Sequence, residues 1–160
     1  WTADDSIVIF AWTGVQRTVF FNQDTNSWQN ILIGHEPSLD RMKKCSRFYY
    51  EHIYTDIDAA TTLYNQQILV SKFLESQKVK HFFINSFTEK YILDKLQTSF
   101  KELIPMIDKD KWMLGYDDSI YDKIVLKLGM SCYDKYHPSE KGHGFLAKLM
   151  LEYIKNKGWV

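Results

Sequence analysis

The chain has 160 residues, of which 45% are hydrophobic, 25% charged and 16% aromatic, with twenty basic and twenty acidic side chains in balance. That length holds one domain with a real core, and the aromatic content excludes intrinsic disorder. Neither half departs from neutrality by more than one charge, so no face built to neutralise nucleic-acid phosphates is visible, and the longest unbroken apolar run, Ile7 to Trp12, is too short to cross a membrane as a helix.

Two cysteines, Cys45 and Cys132, make no disulfide framework. The chain opens on Trp1-Thr2-Ala3, with no initiator methionine, signal peptide or tag-like leader. The expectation is that a segment was removed or that the sequence starts inside a longer gene.

Ser6 to Trp12 is a continuous apolar run rich in β-branched and aromatic residues, which predicts a strand buried on both faces, the kind found in parallel sheets. Thr13-Gly14 ends it as a turn, Thr18 to Phe21 adds a short extended piece, and the polar stretch Gln23 to Asn30 reads as loop. Ser38 is placed to cap a helix running to about Tyr54, with Leu39, Met42, Cys45, Phe48 or Tyr49, and Ile53 as its apolar stripe. Thr55 with Asp58 resembles a capping box and opens a longer helix to about Ser76, with Ile57, Ala60, Tyr64 and Ile68 on one face.

Lys80 to Asn85 repeats the buried-strand pattern. Ile92, Leu96, Phe100 and Leu103 predict a helix that Pro105 stops, Lys111 to Gly115 a third strand, and Ile120, Ile124 and Leu128 a short helix ended by Gly129. Ser139 caps the last helix, whose stripe is Leu146, Leu149, Met150 and Tyr153, with Gly158 beyond its lysine-rich final turn. Strands separated by helical crossovers predict an α/β fold with a parallel sheet, as a single domain over residues 1–160.

The segment from Tyr133 to His143 carries the chemistry. Asp134 and His137 lie three apart, just before the helix that Pro138 and Ser139 start. At that spacing the carboxylate reaches one ring nitrogen and leaves the other facing a cleft, as an acid–base histidine requires when it takes a proton from a hydroxyl nucleophile. The plainer alternative is that the two residues cap and pack the loop.

Asp134-x-x-His137-Pro138-Ser139-x-x-Gly142-His143, followed by a helix containing Ala147, resembles the last conserved block of the SGNH (GDSL-type) hydrolases. The segment Ala3 to Trp12 is similar to that family's third strand, so the resemblance touches both ends of the chain. It implies a flavodoxin-like three-layer α/β sandwich, with His137 and Asp134 as two members of a Ser-His-Asp triad.

The departures matter as much. The family's nucleophilic serine follows its first strand in a Gly-Asp-Ser turn, and the oxyanion-hole glycine belongs to its second block; neither has a counterpart in this sequence. Asp5-Ser6 imitates the turn in letters only, because here the strand comes after the serine. Where the third block offers Gly-x-Asn-Asp, this chain has Trp12-Thr13-Gly14-Val15-Gln16-Arg17, which resembles a divergent branch associated with phages and marine microbes. Thr13 and Arg17 would then stand at the strand's C-terminal end, where open α/β sheets bind ligands, Arg17 holding an anionic or carbonyl group or else making a surface salt bridge.

Other side chains carry less. His137 and His143 are six apart, on different faces of a helix, so a zinc pair is not expected; His143 is expected to pack on the sheet or bond to backbone. His35 and His52 have no carboxylate at a suggestive spacing, Cys132 reads as a small buried residue, and Phe48-Tyr49-Tyr50 as core plus solvent-facing tyrosine.

The resemblance implies a serine esterase or acyl hydrolase acting on a small ester or an acylated carbohydrate, without a cofactor, and inactive in these 160 residues for want of a nucleophile. The alternative is a non-catalytic carbohydrate- or cell-surface-binding module on the same fold. If the family's first two strands are missing, Ile7 to Trp12 becomes an apolar edge, expected to be covered by a second copy in a homodimer or by Thr18 to Phe21.

Overall fold

The computed structural model describes residues 6–14, 17–23, 25–32, 40–87, 102–130 and 137–160. In chain order it runs through strands β1 (Ile7–Trp12), β2 (Arg17–Asn22) and β3 (Ser27–Leu32), helices α1 (Asp40–His52) and α2 (Asp56–Ser76), and strand β4 (Lys80–Asn85). Two 3-10 turns (Ile104–Met106 and Lys109–Lys111), a π-helical turn (Tyr121–Lys127) and helix α3 (Glu140–Asn156) complete it.

The two apolar runs pair with each other. β1 and β4 are parallel, in register from Ile7 beside Lys80 to Trp12 beside Asn85. On its other edge β4 meets two isolated parallel bridges, Phe83 with Trp112 and Asn85 with Ser119. β4 is therefore central, and His81 through Asn85 are all buried. β1 has β4 as its one partner strand among the described residues, and it leaves Ile9 and Ala11 exposed.

Successive side chains of a strand point to opposite faces, so a strand covered on both faces must be apolar throughout. On one face of β4, Phe83 joins Phe10 and Trp12 of β1 and the α2 residues Ala60, Tyr64 and Ile68, with Ile107, Trp112 and Tyr116 closing the cluster. On the other, Phe82 packs against Tyr153 of α3 and Trp159 just beyond it, with ring centroids 4.9 and 6.3 Å apart. The chain is thus a mixed helix and strand fold around a parallel strand pair, with a helix on each side of β4.

Helix α2 starts where the sequence places it. Thr55 Oγ1 accepts from the Asp58 amide at 3.0 Å and donates to the Asp58 carboxylate at 2.7 Å. Ala60, Tyr64, Ile68 and Leu74 are buried as expected, joined by Gln67 and Ser71, whereas Ile57 is exposed.

Four expectations need correction. Gln23 to Asn30 is not all loop: Ser27–Leu32 is a strand that pairs antiparallel with β2, from Arg17 beside Leu32 to Asn22 beside Ser27. Thr18 to Phe21 therefore satisfies its backbone in this hairpin and does not cover β1. The α1 stripe is rotated, with Cys45, Phe48 (58% exposed) and Ile53 (56%) facing out, Ser46 buried and Tyr49 and Tyr50 half-buried. Lys111 to Gly115 makes a single bridge at Trp112 in place of a strand. Ser38, Leu39, Ile92, Leu96 and Phe100 lie outside the described residues, and Pro105 sits in the first 3-10 turn. No described helix is long and apolar enough to cross a membrane.

Candidate functional site

The start of α3 is built from a short stretch of the sequence. Ser139 has extended backbone angles, and its Oγ accepts from the Gly142 amide at 3.4 Å, closing the first turn. Pro138 and Gly142 are both buried, and Ile124, fully buried in the π-helical turn, lies against the same spot. His143 hydrogen-bonds backbone, its amide and its Nδ1 lying 2.9 and 3.1 Å from the Ser139 carbonyl oxygen. His137 stands exposed immediately before this cap.

Two contacts fix which way α3 runs. Near its C-terminal end, Tyr153 packs on Phe82, and its hydroxyl donates to the Asp110 carbonyl at 2.7 Å, just before the Trp112 bridge. Near its start it packs on Ile124, in the turn that follows Ser119, the residue bridged to Asn85 at the end of β4. The helix therefore runs opposite to the strands, and His137 lies at the end where β1 and β4 finish.

Thr13 occupies that same end. It is exposed, follows the last residue of β1, and its Oγ1 donates to the Gly14 carbonyl at 3.3 Å. The Ser86 amide donates to the Trp12 carbonyl at 2.8 Å, tying the ends of the two strands together. Arg17 is the first residue of β2, with its side chain outside the described residues. Asp134 and Cys132 also lie outside them. Ser6 sits at the opposite end of β1 from Thr13, as expected for a serine that copies the nucleophile turn in letters alone.

Sequence reasoning gave no role to the groups that brace this end. Asn85, buried, donates through Nδ2 to the carbonyls of Tyr116 at 2.8 Å and Asp118 at 3.5 Å. Ser119, also buried, donates to Asp122 Oδ2 at 2.6 Å and accepts from the Asp122 amide at 3.0 Å, while Lys127 grips Asp118 at 2.8 Å. A serine three residues ahead of an aspartate is a cap signature, and that spacing was available in the sequence. Ser119, fully buried, thus caps the turn with its hydroxyl engaged by the Asp122 carboxylate.

Burial raises the phenol of Tyr116 above its ordinary range, helped by the neighbouring Tyr64 and by Asp117. Its hydroxyl donates to Gln67 Oε1 at 3.4 Å. A small pocket beside Gln67, Ser71, Asp108 and Trp112 has room for about one water molecule, too little for an acylated sugar. Among the described residues no three His, Cys, Asp or Glu side chains gather as metal ligands do.

A parallel strand pair with helices on both sides and polar groups at its C-terminal end makes this an α/β protein. The chain belongs to DUF6071, a family of unknown function that matches residues 1–160. No curated protein and no solved structure matches it.

Proposed function

We propose that these residues form part of an SGNH-hydrolase-like domain and carry the acid–base half of a serine esterase or acyl hydrolase site for small esters or acylated carbohydrates. The observation that carries the reading is the order and facing of the elements. β1, β4 and the Trp112 bridge lie side by side in sequence order and all parallel, with α2 on one face and α3 on the other. In this reading they would stand for strands three, four and five of a doubly wound sheet of order 2-1-3-4-5, whose ligands bind at the carboxyl ends of the strands. The loop bearing His137 arrives at that end.

In this reading Asp134 accepts a hydrogen bond from Nδ1–H of His137 and leaves Nε2 as the base. Nε2 takes the proton of a hydroxyl nucleophile as it attacks the ester carbonyl, then returns it to the departing alcohol oxygen. Thr13, just after β1, and Arg17, the first residue of β2, would contact substrate. None of the 160 residues occupies the family's nucleophile turn. The chain is therefore expected to hydrolyse p-nitrophenyl acetate no faster than His137→Ala does, and to keep its mass after a serine-directed phosphonate probe. Rapid turnover lost in His137→Ala would expose a nucleophile within these residues and overturn the inactive assignment.

The dyad has its own test. Nitrogen-15 NMR of His137 should show the Nδ1–H tautomer with a carboxylate-bonded proton, lost in Asp134→Asn. An imidazole indifferent to that substitution would remove the acid–base reading.

The competing reading is a non-catalytic carbohydrate-binding module. It draws on the exposed cross-strand pair Phe21 and Trp28, whose rings meet edge to face at 5.4 Å on the hairpin. Tryptophan fluorescence that responds to polysaccharide and is silenced by Trp28→Ala, in a chain with no His137 signature, would favour it.

A further inference from the structure

Helix α3 carries a glycine at the third position of its first turn, where a capping box places Glu or Gln. Glycine is the poorest helix former after proline, so a glycine here calls for a packing reason. Gly142 has one. A Cβ built on it would lie 2.8 Å from Pro138 Cβ, 3.4 Å from Ile124 Cγ2 and 3.9 Å from Ser139 Oγ. Gly144, two residues on and on the other side of the same helix, would meet nothing within 4 Å.

The group on Gly142 is unusually unyielding. The Pro138 Cβ belongs to a ring that holds φ fixed and has no side-chain rotation to offer, and the residue is buried. From the other side Ile124 is held by its own turn, where the Ser119 hydroxyl caps the Asp122 amide and the Tyr121 amide donates to the Ser86 carbonyl. The Cβ position of Gly142 is thus flanked by Pro138 and by a turn tied to the end of β4, and the Pro138 ring is pinned against the bare backbone of Gly142. The peptide that Pro138 shares with His137 is pinned with it.

We propose that Gly142 is a positioning residue for His137. By letting the Pro138 ring lie directly on the first turn of α3, it fixes the direction in which the imidazole leaves the loop at the C-terminal end of the sheet. The proposal rests on the reading of His137 and Asp134 as an acid–base pair.

The test is nitrogen-15 NMR of the His137 ring in the full 160-residue chain and four variants. Wild type should show the Asp134-bonded Nδ1–H tautomer, and Gly144→Ala, which adds the same methyl in open space, should keep it. Gly142→Ala should lose it, while the amide resonances of the later turns of α3 persist. Pro138→Gly removes the contact without introducing a clash, so it tests the same point should Gly142→Ala fail to fold; it should lose the signature too. A signature that survives Pro138→Gly, or survives Gly142→Ala in a folded chain, overturns the positioning role and leaves the acid–base reading intact. A wild-type ring unaffected by Asp134→Asn removes both.

Discussion

The chain holds two strand pairs that differ in nearly every physical respect. β1 and β4 are parallel and distant in sequence, and β4 is enclosed by helices, with Phe83 at 2% exposure at the meeting point of four aromatic neighbours. β2 and β3 are adjacent in sequence, antiparallel, and carry Trp28 at 70% exposure. The first pair depends on burial and cannot exist without the helices that cover it. The second closes its hydrogen bonds locally around a turn in which Asn26 takes a left-handed conformation. An aromatic ring therefore has a different meaning in each: core in one, surface pair in the other.

Substitution should separate the two most sharply at their aromatic centres. Phe83→Ala is expected to cost about 3–5 kcal/mol, measured by urea unfolding, because it removes a fully enclosed ring and leaves a cavity. Loss of less than about 1 kcal/mol would mean that the parallel pair is not the core of the fold.

Alkaline pH sharpens the contrast by a middling amount. Burial raises the phenols of Tyr116 and Tyr64 on the sheet's covered face, whereas the hairpin strands contain no tyrosine. The folded chain thus keeps protons that the unfolded chain releases above about pH 10, so stability is full below that pH and falls as the pH climbs toward the raised values. The slope is at most about 1.4 kcal/mol per pH unit for each such tyrosine. Thermal melting between pH 8 and 11 should show the decline, and Tyr116→Phe should flatten it. A variant with the wild-type slope would place the sensitivity elsewhere.

Trp28→Ala should have the smallest effect, about 0.2–1 kcal/mol, from losing its pairing with Phe21 across the strands. A loss as large as that of Phe83→Ala would show the hairpin to be part of the core and would dissolve the distinction.

The same contrast explains what could be read from the residues alone. Ile7 to Trp12 and Lys80 to Asn85 announce themselves by their short apolar runs, although only β4 is covered on both faces and β1 leaves Ile9 and Ala11 exposed. The sequence hides β3 because its first four residues, Ser-Trp-Gln-Asn, are mostly polar and show no apolar alternation. α1 shows the limit of periodicity: Cys45, Phe48 and Ile53 form a plausible stripe, yet the helix turns Ser46 inward, and nothing local records that rotation. Ile120, Ile124 and Leu128 are spaced for an α-helix, but the turn there is π-helical, a winding that also brings residues four apart close together.

At the site, the cap at Ser139 and the backbone bond of His143 were legible from spacing. Gly142 stands in the Tyr133–His143 segment with no side chain to suggest a role. Its signal was the cost of a glycine at a helix start, which only the position of Pro138 explains.

The pairing of Ile7 with Lys80 also has a kinetic consequence. Such a contact requires closure of a long stretch of chain before any hydrogen bond rewards it, so pairings of this kind slow folding. The β2–β3 hairpin can close on the microsecond scale, and α2 can wind as soon as its residues are free. β1 is synthesised well before its partner strand, which is complete only at Asn85. Until then its apolar side chains and unpaired backbone are exposed together. Capture of the earlier strand by the later one is thus expected to be a slow step, and the interval before it leaves the chain open to pairing with another copy.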